Sequence, residues 1–178
     1  FMFSKCISEI RKRLSNCKIE LLIPDFEGNW EALETVMAAR PDTLNHNIET
    51  VRRIFDRVRP KGDFAQSLEL LARVKEIDPS AVTKSGMMVG LGETWEEILV
   101  NMRELRSVNC DLLTIGQYLR PSEKHIGLAK WYTPEEFEEL KQEGLALGFK
   151  HVASGPLVRS SYHADEQHEA AMTGAVAI

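Results

Sequence analysis

Three cysteines, Cys6, Cys17 and Cys110, are spread over 178 residues and form no C-x-x-C pair. Their spacing fits neither a zinc site nor an iron–sulfur ligand run, so the expected state is reduced, buried and structural. An odd count without a secretion signal suits a reducing compartment. No apolar run approaches the ~20 residues that span a bilayer, so no membrane role is expected. Long basic runs are also missing and the net charge is −5. That disfavours nucleic acid as a partner, while local basic patches stay compatible with an acidic protein. The G-x-G-x-x-G spacing of a dinucleotide site, internal repeats and low-complexity segments are all absent. Phe1 stands where a Met would begin a complete chain, and an N-terminal truncation is expected.

The composition, 43% hydrophobic and 28% charged, is that of a globular domain with a sizeable core. Apolar Phe3, Ile7, Ile10 and Leu14 recur at helical spacing over residues 1–16. Strands are then predicted over 18–26, 42–47, 81–90, 111–119 and 149–155. Helices are predicted over 29–40, 48–59, 63–78, 93–109 and 133–148. Asn29, Asp63 and Thr133 are candidate N-caps, with Pro134 and Glu136 completing a capping box. Strands alternating with helices imply a parallel sheet with right-handed crossovers. The fold class is α/β, either an open doubly wound sheet or part of a (β/α) barrel. Ligands of both bind at the carboxyl ends of the strands.

Several polar and glycine-rich segments fall at those ends. "GMMVGLGE" places Gly86, Gly90 and Gly92 in and after a strand, with Glu93 near the next helix. Glycine there marks either close ligand approach or a tight βα turn, and the helix N-terminus suits an anion. "NHN" puts Asn45, His46 and Asn47 on one strand end. The two amides suit a ribose or an amino-acid moiety, or cap the next helix. "GQYL" offers Gln117, Tyr118 and Leu119, an amide and an aromatic surface suited to a nucleoside. "GPLVRSSYHADEQ" reads as a polar tail on its own.

Taken together, "TLNHNIETV", "TKSGMMVGLGET", "TIGQYLRPS" and "GPLVRSSYHAD", in that order, resemble the lipoyl synthases, a radical S-adenosylmethionine family, over residues 20–167. "GMMVGLGE" also matches the wider superfamily pattern G-x-I-x-G-x-x-E, with Met88 in the apolar position.

The resemblance implies a partial (β/α) barrel of the radical S-adenosylmethionine type with N-terminal strands missing. Residues 1–153 would form the barrel portion, and 154–178 an extension carrying R-S-S-Y. It also implies two 4Fe-4S clusters, S-adenosylmethionine, and insertion of two sulfurs into an octanoyl chain on a carrier protein. The implied partners are octanoylated carrier domains (glycine cleavage H protein or 2-oxoacid dehydrogenase lipoyl domains), a reductant such as ferredoxin or flavodoxin, and an iron–sulfur carrier protein. The implied location is the cytoplasm in a bacterium, or a mitochondrion or plastid in a eukaryote.

By position, Ser161 would ligate the sulfur-donating cluster, with Ser160 as the lesser candidate. Arg159 and Tyr162 would flank it, and Asn45, Asn47, Gly86, Met88, Gly90, Glu93, Gln117, Tyr118 and Leu119 would contact the cofactor. Both of the family's cysteine motifs are missing from this sequence, so the chain alone is expected to be inactive. Two other readings remain open: a fragment that only docks a carrier domain, and an unrelated (β/α) enzyme binding a phosphorylated metabolite through residues 86–92.

Overall fold

The computed structural model describes residues 2–173. Five parallel strands form one sheet in sequential order: β1 (Glu20–Leu22), β2 (Thr43–Asn45), β3 (Val82–Val89), β4 (Leu112–Gln117) and β5 (His151–Gly155). Helices α1 (Met2–Arg13), α2 (Trp30–Met37), α3 (Arg52–Val58), α4 (Phe64–Ile77), α5 (Trp95–Ser107) and α6 (Pro134–Ala146) fill the connections, and α7 (Ala164–Thr173) closes the described chain. The unbroken order of parallel neighbours is that of a partial (β/α) barrel.

Local chemistry sets most boundaries. Asn29 and Asp63 each accept a backbone N–H at the first turn of α2 and α4. Thr94 with Glu97, and Thr133 with Glu136, form reciprocal capping boxes on α5 and α6. Between sheet and helices, Leu44, Met87, Ile115 and Val152 meet Leu33, Phe55, Leu70, Ile98 and Phe137 in one buried cluster. Each such side chain contributes roughly 1.5–3 kcal/mol by leaving water.

One predicted helix is shorter than its periodicity suggested. Only Arg52–Val58 of residues 48–59 is helical. Residues 48–51 stay out of the helix because the sheet claims them: Glu49 N–H donates to Gly86 O, Met88 N–H donates to Glu49 O, and Ile48 N–H donates to Ser85 Oγ. Glu49 pairs with Met87 at a positive φ of 67°. The helix predicted over 93–109 begins at Trp95, which leaves Glu93 outside it.

The reading of the cysteines needs the same correction. Cys110 is buried, but Cys6 and Cys17 are exposed, on α1 and in the turn after it, where little core is at hand.

The concave face of the sheet carries a buried ion pair. Lys84 Nζ lies 3.1 Å from both carboxylate oxygens of Glu20, and Glu20 Oε1 accepts from Asn45 Nδ2 at 3.0 Å. Desolvation holds the Lys84 pKa below its ordinary value, although Glu20 opposes this. The predicted extension also folds back onto this face. β5 runs through Gly155, Ala171 of α7 packs with Val82 and Leu112, and His168 Nδ1 sits 3.0 Å from Thr43 Oγ1. The last five residues of the 154–178 extension lie outside the described residues.

At the amino end, Asp111 ties three elements together. Its carboxylate accepts from Lys75 Nζ at 2.5 Å, Lys150 Nζ at 3.0 Å and Thr83 N–H at 3.0 Å. Burial alone would raise its pKa, but the bonds to Lys75, Thr83 and Lys150 outweigh it and leave the pKa lowered from 3.8. A lowered carboxylate stabilises the fold above its unfolded pKa and loses that contribution as pH falls through the folded value. Asp111→Asn should therefore cost about 3 kcal/mol at neutral pH. In denaturant titrations the gap to the parent chain should close below pH 3.8.

Candidate functional site

Three strand ends and one returning segment build the site at the carboxyl edge of the sheet. At the end of β2, His46 and Asn47 continue the extended backbone, with His46 N–H bonded to Lys84 O. His46 is 1% exposed, and its Nδ1 lies 2.9 Å from Ile23 O. A carbonyl only accepts, so Nδ1 carries the proton and Nε2 is a bare acceptor without a partner among the described residues. Desolvation lowers its pKa, and the nearby Arg59 guanidinium lowers it further.

Asn47 Oδ1 is likewise buried and unpartnered. Neither Asn45 nor Asn47 caps the next helix, because the N-cap of α3 is Val51 and makes no side-chain cap bond. Glu49, two residues on, has its pKa raised by burial against the opposing effects of Arg59 and Asn47.

Gly86 is what brings Asn47 close. A Cβ there would sit 2.6 Å from Thr114 Oγ1 and 2.8 Å from Asn47 Oδ1. Any side chain would push both polar groups away from the strand end. Asn45, by contrast, lies one step deeper on the concave face, fully buried with its amide on Glu20.

The "GLGE" turn is occupied by its own glutamate. Gly90 N–H donates to Glu93 Oε1 at 2.6 Å and Leu91 N–H donates to Glu93 Oε2 at 2.9 Å. The glycines at 90 and 92 meet the positive φ values of 107° and 101° that the turn demands. A Cβ on Gly90 would lie 2.3 Å from Gln117 Nε2 and 2.6 Å from Lys130 O. Gly90 is thus hemmed in by protein, and Glu93 has taken the amides that a phosphate would need. The phosphorylated-metabolite reading loses its anchor here. Tyr132 packs beside this carboxylate, and burial followed by the Glu93 charge raises its pKa.

Gln117 completes the turn's support. Its Nε2 lies 3.1 Å from Val89 O, 3.1 Å from Lys130 O and 3.2 Å from Tyr118 O, while Oε1 accepts from Tyr132 N–H at 3.0 Å. The amide expected to meet a ligand is committed to the fold. Tyr118 is also inside, 5% exposed, with its hydroxyl donating to Ile126 O at 2.9 Å. Leu119 alone of this trio is exposed.

After β5 the chain turns back across β4. Val158 O sits 2.3 Å from where a Gly116 Cβ would be, so only glycine admits the crossing. Two concavities result. A groove of about 730 Å³ is walled by Pro24, His46, Glu49, Met88, Tyr118 and Leu119. A smaller cavity of about 200 Å³ has Asn47, Glu49, Gly86, Met88, Arg159 and Ser160 on its walls.

Ser161 is exposed beyond that wall, and Tyr162 lines a separate cleft along β5 with His151 and Glu166. The structure therefore joins Asn47, Gly86, Met88, Leu119 and Arg159 at one place, with Ser160 and not Ser161 reaching it. Glu49 and Gly116 were missed in the sequence. Their signals were present: Asn45, Asn47 and Glu49 alternate along one strand, and a glycine inside a strand marks close approach.

A sheet of this order with a polar pocket at its carboxyl ends defines a (β/α)-barrel site, and the Radical SAM superfamily model matches residues 3–105. The chain belongs to the radical SAM superfamily. Within it, the chain is similar to lipoyl synthases. It is 60% identical over 163 residues to that of Caldanaerobacter subterraneus subsp. tengcongensis, covering 92% of this chain and 57% of the relative. It is 55% identical over 175 residues to that of Rubrobacter xylanophilus, covering 98% of this chain and 54% of the relative. The protein of Alkaliphilus metalliredigens is 52% identical over 167 residues, covering 94% and 58%. The chain spans about half the length of the curated relatives it matches. No helix among the described residues is long and apolar enough to cross a membrane.

The residues present fit the two implied cofactor types differently. The orphaned acceptors of Asn47 and His46, with the Glu49 carboxylate, suit a ligand rich in hydroxyl and ammonium donors, as S-adenosylmethionine is. They do not suit a cluster. Cys6 and Cys17 lie on α1 and in the turn after it, and Cys110 is buried at the amino end of β4 with its thiol pushed up to about 12, chiefly by burial. Among the described residues, no group of three or more His, Cys, Asp or Glu side chains is placed to hold a metal.

Two outcomes follow. After anaerobic incubation with iron and sulfide, this polypeptide should show no stoichiometric 4Fe-4S absorbance. Absorbance at about one cluster per chain would mean that the cysteines rearrange to bind it. Gly116→Ala should lift residues 156–160 off β4. Amide exchange there should then accelerate at least about tenfold while the sheet stays protected, and unchanged exchange would show that the crossing does not depend on Gly116.

Proposed function

We propose that this chain is the later part of a lipoyl synthase, inserting two sulfur atoms into an octanoyl chain carried on a protein lysine. The crossing of residues 156–160 over Gly116 carries this reading, because it brings Arg159 and Ser160, the first half of R-S-S-Y, to the cavity that Asn47 and Glu49 line. The names and identities of the relatives support it.

S-adenosylmethionine and a 4Fe-4S cluster, when bound, supply a carbon radical that can take hydrogen from an unactivated C–H bond. The residues of this chain bind, orient and shield. Asn47 Oδ1 accepts from a hydroxyl or ammonium of the cofactor. Glu49, ionised by contact with such a donor, adds a charge-assisted bond. Met88, Leu119 and the Tyr118 ring form the apolar wall that excludes water. Asn45 acts one layer below through Glu20, and Gly90, Glu93 and Gln117 hold the strand ends in place. Arg159 places a cation at the mouth.

Ser161 keeps its role as the non-cysteine ligand of the sulfur-donating cluster, with Ser160 as the competitor already at the cavity wall and Tyr162 flanking. An alkoxide is a harder ligand than thiolate and suits an iron that must be released. The coupled reactions would take electrons from a ferredoxin or flavodoxin and new clusters from an iron–sulfur carrier protein.

In the full-length protein, Glu49→Gln should weaken S-adenosylmethionine binding by about tenfold in calorimetry, since bonds to a charged group contribute roughly 1.5–3 kcal/mol. An unchanged Kd would remove Glu49 from the site. Ser161→Ala should abolish sulfur insertion while sparing cofactor cleavage. If Ser160→Ala does so instead and Ser161→Ala turns over at the parental rate, the ligand is Ser160.

A further inference from the structure

The groove at the carboxyl edge carries two cations that the cofactor reading does not use. Arg57 at the end of α3 and Lys124 in the loop after β4 both line it, and both are exposed. Neither makes an ion pair or hydrogen bond among the described residues, although the chain as a whole is acidic, with net charge −5. Glu49 is the only carboxylate in the lining, and it is withdrawn toward the strand end.

The loop that presents Lys124 is braced from within. Arg120 Nε donates to His125 O at 3.0 Å, Ser122 Oγ lies 2.9 Å from His125 Nδ1, and the Tyr118 hydroxyl holds Ile126 O. Leu119, 45% exposed, adds an apolar surface to the same lining. Carboxylates gather elsewhere instead: Glu135, Glu138, Glu139 and Glu143 line a cleft on α6 with Trp95. Cations at the mouth and carboxylates on the flank steer an acidic partner to the mouth.

We propose that this part of the lining, Arg57 and Lys124 with Leu119, is the docking surface for an acidic acyl-carrier domain, which it orients so that the acylated lysine enters the groove. The proposal rests on the acylated-carrier reading above. Two charges carried by different elements at one mouth define an orientation as well as an attraction. Leu119 gives the desolvated contact that steering alone lacks.

The test uses the full-length protein and an octanoylated lipoyl carrier domain of net negative charge, with binding and conversion read separately. Arg57→Glu/Lys124→Glu should weaken carrier binding by about tenfold or more and flatten its salt dependence. Arg13→Glu, an equally exposed cation on α1, should have little effect. Conversion of a short octanoyl-lysine peptide, which carries no folded surface, should match the parent. Parental affinity and salt slope in the double variant would overturn the docking proposal. A parent protein that binds carrier but converts neither carrier nor peptide would count against the function and leave the docking result intact.

Discussion

One side-chain amide holds the carboxyl edge together. Gln117 ends β4, yet its two heteroatoms reach the backbone of β3 at Val89 and of the return loop at Lys130 and Tyr132. This is possible only because Gly90 leaves the space that Gln117 occupies. Glu93 then closes the turn by accepting both of its free amide hydrogens. Buried polar groups are costly when unpaired, so a network in which each member satisfies the next is stable only as a whole. The site inherits its geometry from that closure, since β3 carries Gly86 and Met88 and β4 carries Gly116.

The orphaned acceptors nearby have the opposite character. Asn47 Oδ1 and His46 Nε2 sit within a few residues of a fully satisfied network, and both lack a donor. A fold that pairs Gln117 so completely does not leave neighbouring acceptors empty for want of polar partners. Other unpartnered buried atoms are scattered on Asn101, Arg106, His151 and Gln167, but Asn45, His46, Asn47 and Thr50 lie at the end of β2 or just after it, and unmet hydrogen-bonding capacity gathered beside a cavity is a physical mark of a ligand position. The concave face beneath it is closed by the Lys84–Glu20 pair and by α7, so the groove opens at the carboxyl edge.

Much of this was legible in the sequence. The helix starts at Asn29, Asp63 and Thr133 follow from short-range capping, which acts within one turn and so is written locally. The strand order follows from alternation and chirality. The helix predicted from residue 48 failed because residues 48–51 have helical periodicity but are bound by β3, and a contact with residues nearly forty positions later leaves no local trace. Glu93 was read as a cofactor contact near the next helix, and in the structure its carboxylate accepts the amides of the turn before that helix. Gln117 and Tyr118 were chosen as ligand contacts because amides and aromatics at strand ends suit nucleosides. The same chemistry serves internal bonds, and the partners each found, Val89, Lys130 and Tyr132 for Gln117 and Ile126 for Tyr118, are set by the fold. The exposed Ser161 and walled Ser160 differ by one residue in a turn whose direction depends on Gly116, a long-range fact again.

The account stands or falls on the closure around Gln117. Native-state hydrogen exchange of the amides of Gly90, Leu91 and Tyr132 measures it directly, since these amides lie outside regular secondary structure and are protected only through Glu93 and Gln117. The prediction is that all three exchange only with global unfolding, at the rate of core amides in β3 and β4. Exchange as fast as that of the neighbouring loop residues Glu123 and Lys124 would show that the network does not hold the strand ends, and would contradict the account.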